Sequence, residues 1–289
     1  MSVEGSVCVV TGAGRGIGAE TARLLAAHGA HLAMCSVSGQ GLDRLADELH
    51  AAYGTRTLVR QVDVADATAV QAFADATAGE LGLPHVLVNN AAVLGPVGPV
   101  VETDADEWAR TLLVNVVGVA NACRSFGRLM HRRGAGVVVN LSGGGIGGPN
   151  VAPRIAAYTA SKAAVVSLTE TLAAELGPGG VRLVAIAPGA MATGFTAGVR
   201  AAGPEVAGAD LYEATVRNDE SPAPFDDFAR LLLYAVSDEA AWLSGRLLSA
   251  RWDPPDSLRA RRDAIVRSSL LTLRRIDGDL YLDAALEGS

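Results

Sequence analysis

Tyr158 and Lys162 stand in the stretch AAYTASKAA, four residues apart, so on a helix both side chains project from one face. A free phenol titrates at about 10 and is a poor proton donor or acceptor at neutral pH, but a nearby ammonium favours the phenolate and lowers that value. Composition sharpens the pairing: of 24 basic residues, Lys162 is the sole lysine. Wherever a positive charge alone was wanted, the chain uses arginine. Lysine's compact, flexible head can reach a ribose hydroxyl that arginine's planar fork would not serve. A tyrosine on its own is ordinarily a core or surface residue; the spacing to the only lysine points to acid–base catalysis instead.

A second motif supplies a place for a ribose. The segment TGAGRGIG, residues 11–18, follows an apolar run and opens a helical pattern. Glycines at a first strand-to-helix junction permit a tight turn and close approach of the backbone to a pyrophosphate, which sits at the positive end of the helix dipole. An acidic residue at the end of the second strand would bind the adenosine ribose hydroxyls and repel a 2′-phosphate. That strand reads HLAMCSVSG and offers Ser36 there, while Arg15 in the glycine turn can pair with a phosphate. The pattern predicts NADP(H) over NAD, with a solvated surface charge as the plain alternative for Arg15.

The elements that must position these residues follow from periodicity. Short β-rich runs at 6–10, 30–35, 57–62, 86–89, 136–141 and 181–187 alternate with helical patterns at 19–28, 42–53, 67–81, 107–133 and 158–176. Strands apolar throughout are buried on both faces, with helices as right-handed crossovers, so the fold class is α/β: a Rossmann-like, doubly wound parallel sheet in a single domain. Residues 1–250 form that domain. Within it, 194–225 is loosely patterned, rich in Gly, Ala and Pro with charges at Asp210, Glu213, Arg217, Asp219 and Glu220, and reads as a mobile lid. Residues 226–237 read as a helix, 246–250 as a final strand, and 251–289 as a C-terminal extension.

Charge and composition restrict the partners. A net charge of −7 with no basic–aromatic cluster argues against nucleic acid and anionic membrane. No apolar run reaches the ~18 residues a membrane span needs, and MSVEGSVCVVTG enters a strand at once, so the expected location is the cytoplasm. Cys8, Cys35 and Cys123 are widely spaced in apolar segments and fit reduced core thiols, not a metal site.

Five motifs in order, TGAGRGIG, the NNAA of residues 89–92, Asn115 within LLVNVVG, the Tyr158–Lys162 pair and the PGAMAT of residues 188–193, resemble the short-chain dehydrogenase/reductase family over about residues 5–250. The resemblance implies hydride exchange between a ketone and an alcohol on a nicotinamide cofactor. By it Tyr158 is the general acid, Lys162 holds the nicotinamide ribose, and Asn115 fixes a water linking the lysine to solvent. Gly12, Gly16, Ile17 and Gly18 cradle the pyrophosphate, Asp63 with Val64 meets the adenine, and Asn89, Asn90 and Ala91 line the cofactor. Pro188 and Gly189 follow, Thr193 holds the carboxamide, and Met191 lies toward the substrate. Plain rivals are a helix brace for Asn115 and caps for Asp63 and Thr193. Homodimers or homotetramers through the helices carrying Asn115 and Tyr158 are implied as well.

The chain departs from the family pattern in VVVNLSGGGIGGPN. Relatives carry two small residues after the strand's Asn, the second being the catalytic serine; here they are Ser142 and Gly143. Either the glycines of residues 143–145 reroute the loop so that Ser142 reaches the carbonyl oxygen, or a backbone N–H or the substrate's own groups replace the hydroxyl. The same Ser-Gly-Gly-Gly loop and the Trp-Asp tail ending in Leu-Arg-Arg-Ile resemble one subgroup. Trp252 and the tail arginines either close a pocket or belong to a docked helix covering apolar surface. The charged lid suggests a polar, ring-like substrate, sugar- or nucleoside-like. Alternatives are an epimerase or eliminase that uses the cofactor transiently, and a dinucleotide-binding sensor.

Overall fold

The computed structural model describes residues 3–143, 146 and 151–274. Seven parallel strands form one sheet in the order β3-β2-β1-β4-β5-β6-β7. They are β1 Val7–Thr11, β2 His31–Ser36, β3 Thr57–Gln61, β4 Val86–Asn89, β5 Gly136–Leu141, β6 Val181–Ala187 and β7 Leu247–Ser249. The order reverses between β1 and β4, where a crevice opens at the carboxyl ends of the strands.

Alternation along the strands splits the core into two layers. Cys8, Val10, Val137, Val139 and Leu141 face a layer completed by helix α1 (Gly16–Ala27), α2 (Leu42–Tyr53) and, later in the chain, Phe225–Val236. Val9, Leu87 and Val138 face the opposite layer, with α3 (Ala67–Glu80) and Phe126 and Val165 from the two helices beyond it. Both sheet faces are therefore covered, which is why these strands are apolar without interruption.

Two expectations change. The pattern at 107–133 is not one helix: α4 (Ala105–Leu112) passes through a π-helical turn, Leu113–Val117, into α5 (Gly118–Arg133). The wider turn lets Asn115 leave the helix face and bond the backbone of Val93, a reason the hydrophobic periodicity cannot show. After α6 (Ala156–Leu176), the segment 194–225 is not loose but contains α7 (Ala197–Ala207), kinked at Gly203 and Pro204, and α8 (Ala209–Glu220). Glycine and proline diluted their periodic signal, and an Arg200–Asp219 ion pair joins them.

The tail, beyond α9 (Phe225–Val236), holds α10 (Pro255–Ala260) and α11 (Arg262–Val266), which bury Leu258 and Ile265 in the first layer. Leu247 N–H donates to Leu271 O, so the tail also lies against the last strand. Of the two readings of the tail, the docked helix describes residues 251–274; residues 275–289, with the end of the Leu-Arg-Arg-Ile run, lie outside the described residues. No described helix is long and apolar enough to cross a membrane.

Candidate active site

The carboxyl ends of β1, β4, β5 and β6 converge on α6. Tyr158 and Lys162 lie one turn apart there, as their spacing requires, with the ammonium 5.7 Å from the phenol ring centroid. Lys162 is 3% exposed and its Nζ donates to Leu141 O at 2.8 Å, at the end of β5. An ammonium has three donors, and this is the one bond it makes among the described residues.

The electrostatics differ from the expectation of a depressed phenol. Burial pushes Tyr158 up to about 12 and Lys162 down to about 8. Desolvation sets both shifts, since taking either group out of water disfavours its charged form. At pH 7 the lysine still carries its proton and the tyrosine is a neutral donor.

Asn115 is fully engaged. Its Oδ1 accepts from Val93 N–H at 2.9 Å, and its Nδ2 donates to Val93 O at 2.8 Å and Ser161 Oγ at 2.9 Å. Ser161 Oγ donates in turn to Tyr158 O at 2.7 Å, so Asn115 ties the chain after β4 to the turn of α6 between tyrosine and lysine. The bracing role is thus present in the structure.

At the end of β5, Ser142 N–H still donates to Ile186 O at 2.8 Å, so the backbone has not left strand register. The rerouting expected of the glycines is not seen through Gly143; Gly144 and Gly145 lie outside the described residues. A Cβ built at Gly143 would sit 2.4 Å from the Tyr158 hydroxyl, so the phenol occupies the space a side chain there would need. Ser142 Oγ is buried and makes no hydrogen bond among the described residues. By strand alternation it follows Asn140 onto the α6 side of the sheet.

The glycine turn has the geometry of an anion site. Arg15 precedes α1 without a side-chain cap, and no acidic residue occupies the first turn. A Cβ at Gly18 would lie 2.3 Å from Gly12 O, and one at Gly12 would lie 2.8 Å from Ala91 Cα, so these glycines let helix, turn and β4 pack together. Gly16 has a φ of 57° and faces Thr193, the nearest side chain to its absent Cβ at 3.1 Å. Ile17 and Met191, both partly buried, pack against the first core layer. Pro188 is buried and Gly189 turns the chain with a φ of 93°. Ser36 Oγ, at the end of β2, is buried with no partner, a donor left for a ligand. Uncapped helix N–H groups, an unpaired Ser36 hydroxyl and spare Lys162 donors together fit a dinucleotide.

Other predicted contacts serve the frame. Asn90 holds the glycine turn, its Nδ2 donating to Thr11 O at 2.9 Å and Gly12 O at 3.0 Å. Asn89, the last residue of β4, donates from its Nδ2 to Asn140 Oδ1 at 2.8 Å and Cys123 Sγ at 3.4 Å. Val64 packs inward against Gly118, and its carbonyl accepts from Asn121. Asp63 accepts from Ala65 N–H and pairs with Arg110 at 2.5 Å, which holds its carboxyl below the usual range despite the opposing effect of its burial. The cap of α3 is Asp66, so the cap proposed for Asp63 falls three residues later.

The sequence reading missed Phe195, whose ring lies 5.5 Å from that of Tyr158, and Thr11, whose Oγ1 accepts from Asn90 N–H and Ala91 N–H. Thr11 stood inside the glycine motif and could have been found by asking what holds that turn. Phe195 had no local signal, because its partner is remote in sequence.

Comparison with known proteins agrees with this geometry. A short chain dehydrogenase family model matches residues 6–203. The chain is 38% identical over 249 residues to galactitol 2-dehydrogenase (L-tagatose-forming) of Cereibacter sphaeroides, covering 86% of this chain and 94% of that protein. It is 35% identical over 245 residues to cis-4-hydroxycyclohexanecarboxylate dehydrogenase of Sinomonas cyclohexanicum, covering 84% and 94%. The crystal structure of NAD+-bound xylitol dehydrogenase superposes with a TM-score of 0.76 at 28% identity, covering 86% of this chain and 98% of that one. With the fold, the Tyr158–Lys162 pair and the glycine turn in place, the chain belongs to the short-chain dehydrogenase family.

Proposed function

We propose that the protein is an NADP(H)-dependent reductase of a ketone on a polar, ring-like small molecule of sugar-like character, or catalyses the reverse oxidation. One observation carries the chemistry: the neutral Tyr158 hydroxyl lies against Gly143 at the end of β5, with the Lys162 ammonium one turn behind it. A bound reduced nicotinamide supplies the hydride for the carbonyl carbon. Tyr158 gives its proton to the carbonyl oxygen as that oxygen gains charge, and Lys162 stabilises the phenolate until solvent reprotonates it. Ser142, with its unpaired hydroxyl on the α6 side of the strand end, is the second donor to that oxygen.

The cofactor preference rests on Arg15 and Ser36, the former exposed beside the glycine turn and the latter standing where an acidic residue would repel a 2′-phosphate. Substrate polarity is supported by relatives that act on galactitol and on a hydroxycyclohexanecarboxylate. The segment 194–225 serves as the lid, since Phe195 packs on Tyr158 and a Cβ on Gly198 would stand 3.9 Å from the Leu94 and Val97 side chains. Exposed Leu113 and Val117, on either side of Asn115, suit a homodimer or homotetramer acting in the cytoplasm. The test is nicotinamide oxidation against a panel of polar cyclic ketones, with NADPH and NADH compared. The expected result is turnover with an NADPH preference in kcat/KM of at least tenfold; equal use of both would remove the role given to Arg15 and Ser36.

A further inference from the structure

We propose that Arg154 holds a carboxylate that the substrate carries away from its reacting carbonyl. The inference deepens the ketone-reduction reading of the Tyr158 site by naming the substrates that site prefers.

Arg154 is two residues before α6 and has a φ of 72°, a left-handed conformation uncommon outside glycine. Two contacts hold it there. Gly98 N–H, in the loop between β4 and α4, donates to Arg154 O at 2.8 Å. On the other side, Arg154 Cγ and Nε lie 3.5 and 3.8 Å from where a Cβ of Gly208 would stand, at the junction of α7 and α8. The chain entering α6, the loop between β4 and α4, and the junction of α7 and α8 therefore meet at this one arginine. Phe195, in the same 194–225 segment, reaches the Tyr158 ring itself. Arg154 and Tyr158 are four positions apart in the chain, so their Cα atoms are at most about 14 Å apart. One small molecule can span from a phenol at one end to a guanidinium at the other.

The arginines nearby are otherwise occupied. Arg200 pairs with Asp219, Arg217 with Glu213 and Arg110 with Asp63. The Arg154 side chain is partly buried, and its guanidinium makes no hydrogen bond or ion pair among the described residues. This is so although Glu102, Asp104 and Glu107 line an adjacent cleft of about 240 Å³ that shares Gly98 and Val206. Asp104 is committed to capping α4 through Glu107 N–H. A guanidinium stays charged at any working pH and its fork matches a carboxylate in two parallel bonds. The acidic cleft beside it, and the chain's net charge of −7, disfavour a dianion such as phosphate and admit a single negative charge only where Arg154 stands.

The experiment uses the full chain saturated with NADPH and two probes that differ only in charge, 4-oxocyclohexanecarboxylate and 4-oxocyclohexanecarboxamide. Binding is measured by titration calorimetry and reduction by loss of NADPH absorbance, for the wild type, Arg154→Gln and Arg154→Lys. The wild type is expected to bind the acid at least 20-fold more tightly than the amide. Arg154→Gln should erase that preference through KM with little change in kcat, leaving the amide unaffected. Arg154→Lys, which keeps the charge and loses the fork, should fall between, and it decides the matter if the glutamine variant does not fold. An acid no better bound than the amide, including no binding of either, overturns the inference, as does a preference that survives both substitutions. Arg154-dependent binding of an acid that is not reduced would uphold the inference and count against ketone reduction.

Discussion

At the residue scale, the site is set by what stands next to Tyr158. The tyrosine, lysine and their spacing were legible because helical geometry fixes the relation of positions four apart and because a single lysine among arginines marks a role. The state of the phenol was not legible: burial moves it to about 12, and depth below the surface is not written in local sequence. Nor was the identity of the group facing it. Gly143 abuts the hydroxyl, and a serine side chain there would begin 2.4 Å from it. Gly143→Ser should therefore displace Tyr158 and lower kcat/KM by at least 10-fold. Ser142→Ala, which removes a hydroxyl that bonds nothing among the described residues, should keep stability within about 1 kcal/mol while reducing kcat by 10-fold or more. Steady-state kinetics beside urea titration of both variants checks this; unimpaired turnover in Ser142→Ala takes that serine out of the mechanism.

At the element scale, the break between α4 and α5 shows what periodicity cannot reach. Apolar positions continue in phase through LLVNVVG, so the segment reads as one helix, yet the π-helical turn frees Asn115 to make three hydrogen bonds to Val93 and Ser161. Asn115 itself is 0% exposed, and its bond to Ser161 is buried while the two to Val93 are partly so. Asn115→Ala would break three hydrogen bonds, each contributing about 0.5–1.5 kcal/mol net. The expected outcome is a loss of about 2–4 kcal/mol in urea unfolding together with slower turnover, since the same asparagine supports the Tyr158–Lys162 turn. A variant as stable as the wild type would mean that the turn holds without its asparagine. The helices α7 and α8 were hidden for a different reason: Gly203, Pro204 and Gly208 interrupt their patterns, and pairing across Arg200 and Asp219 is a tertiary fact.

At the scale of the whole molecule, the doubly wound sheet followed from unbroken apolar strands alternating with amphipathic helices, and the two core layers confirm why. The same burial sets a pH limit on stability. Cys8, Cys35 and Cys123 are buried and free, and desolvation lifts each thiol to about 12 from an ordinary value near 9.0. A raised folded value means that their stabilising preference for the neutral form is complete below about 9 and is lost as pH rises toward 12. Lys162 acts in the opposite sense, since its lowered value of about 8 adds stability as pH rises from 8 to 10.5. Each group contributes about 1.4 kcal/mol per pH unit within its window, so three thiols outweigh one lysine. Urea midpoints should fall steadily above pH 9, and the fall should be shallower in Cys8→Ala even though that variant starts lower. A pH-independent midpoint to pH 11 would contradict the burial of the thiols.

The central claim is that Tyr158 transfers the proton in carbonyl reduction by an enzyme that binds a nicotinamide dinucleotide. Tyr158→Phe removes one oxygen and keeps the ring against Phe195. Measured on a ketone that the wild type reduces, the account predicts unchanged NADPH binding and a kcat lowered by 10²–10⁴, the usual contribution of a positioned general acid. Turnover within a few-fold of the wild type would contradict it.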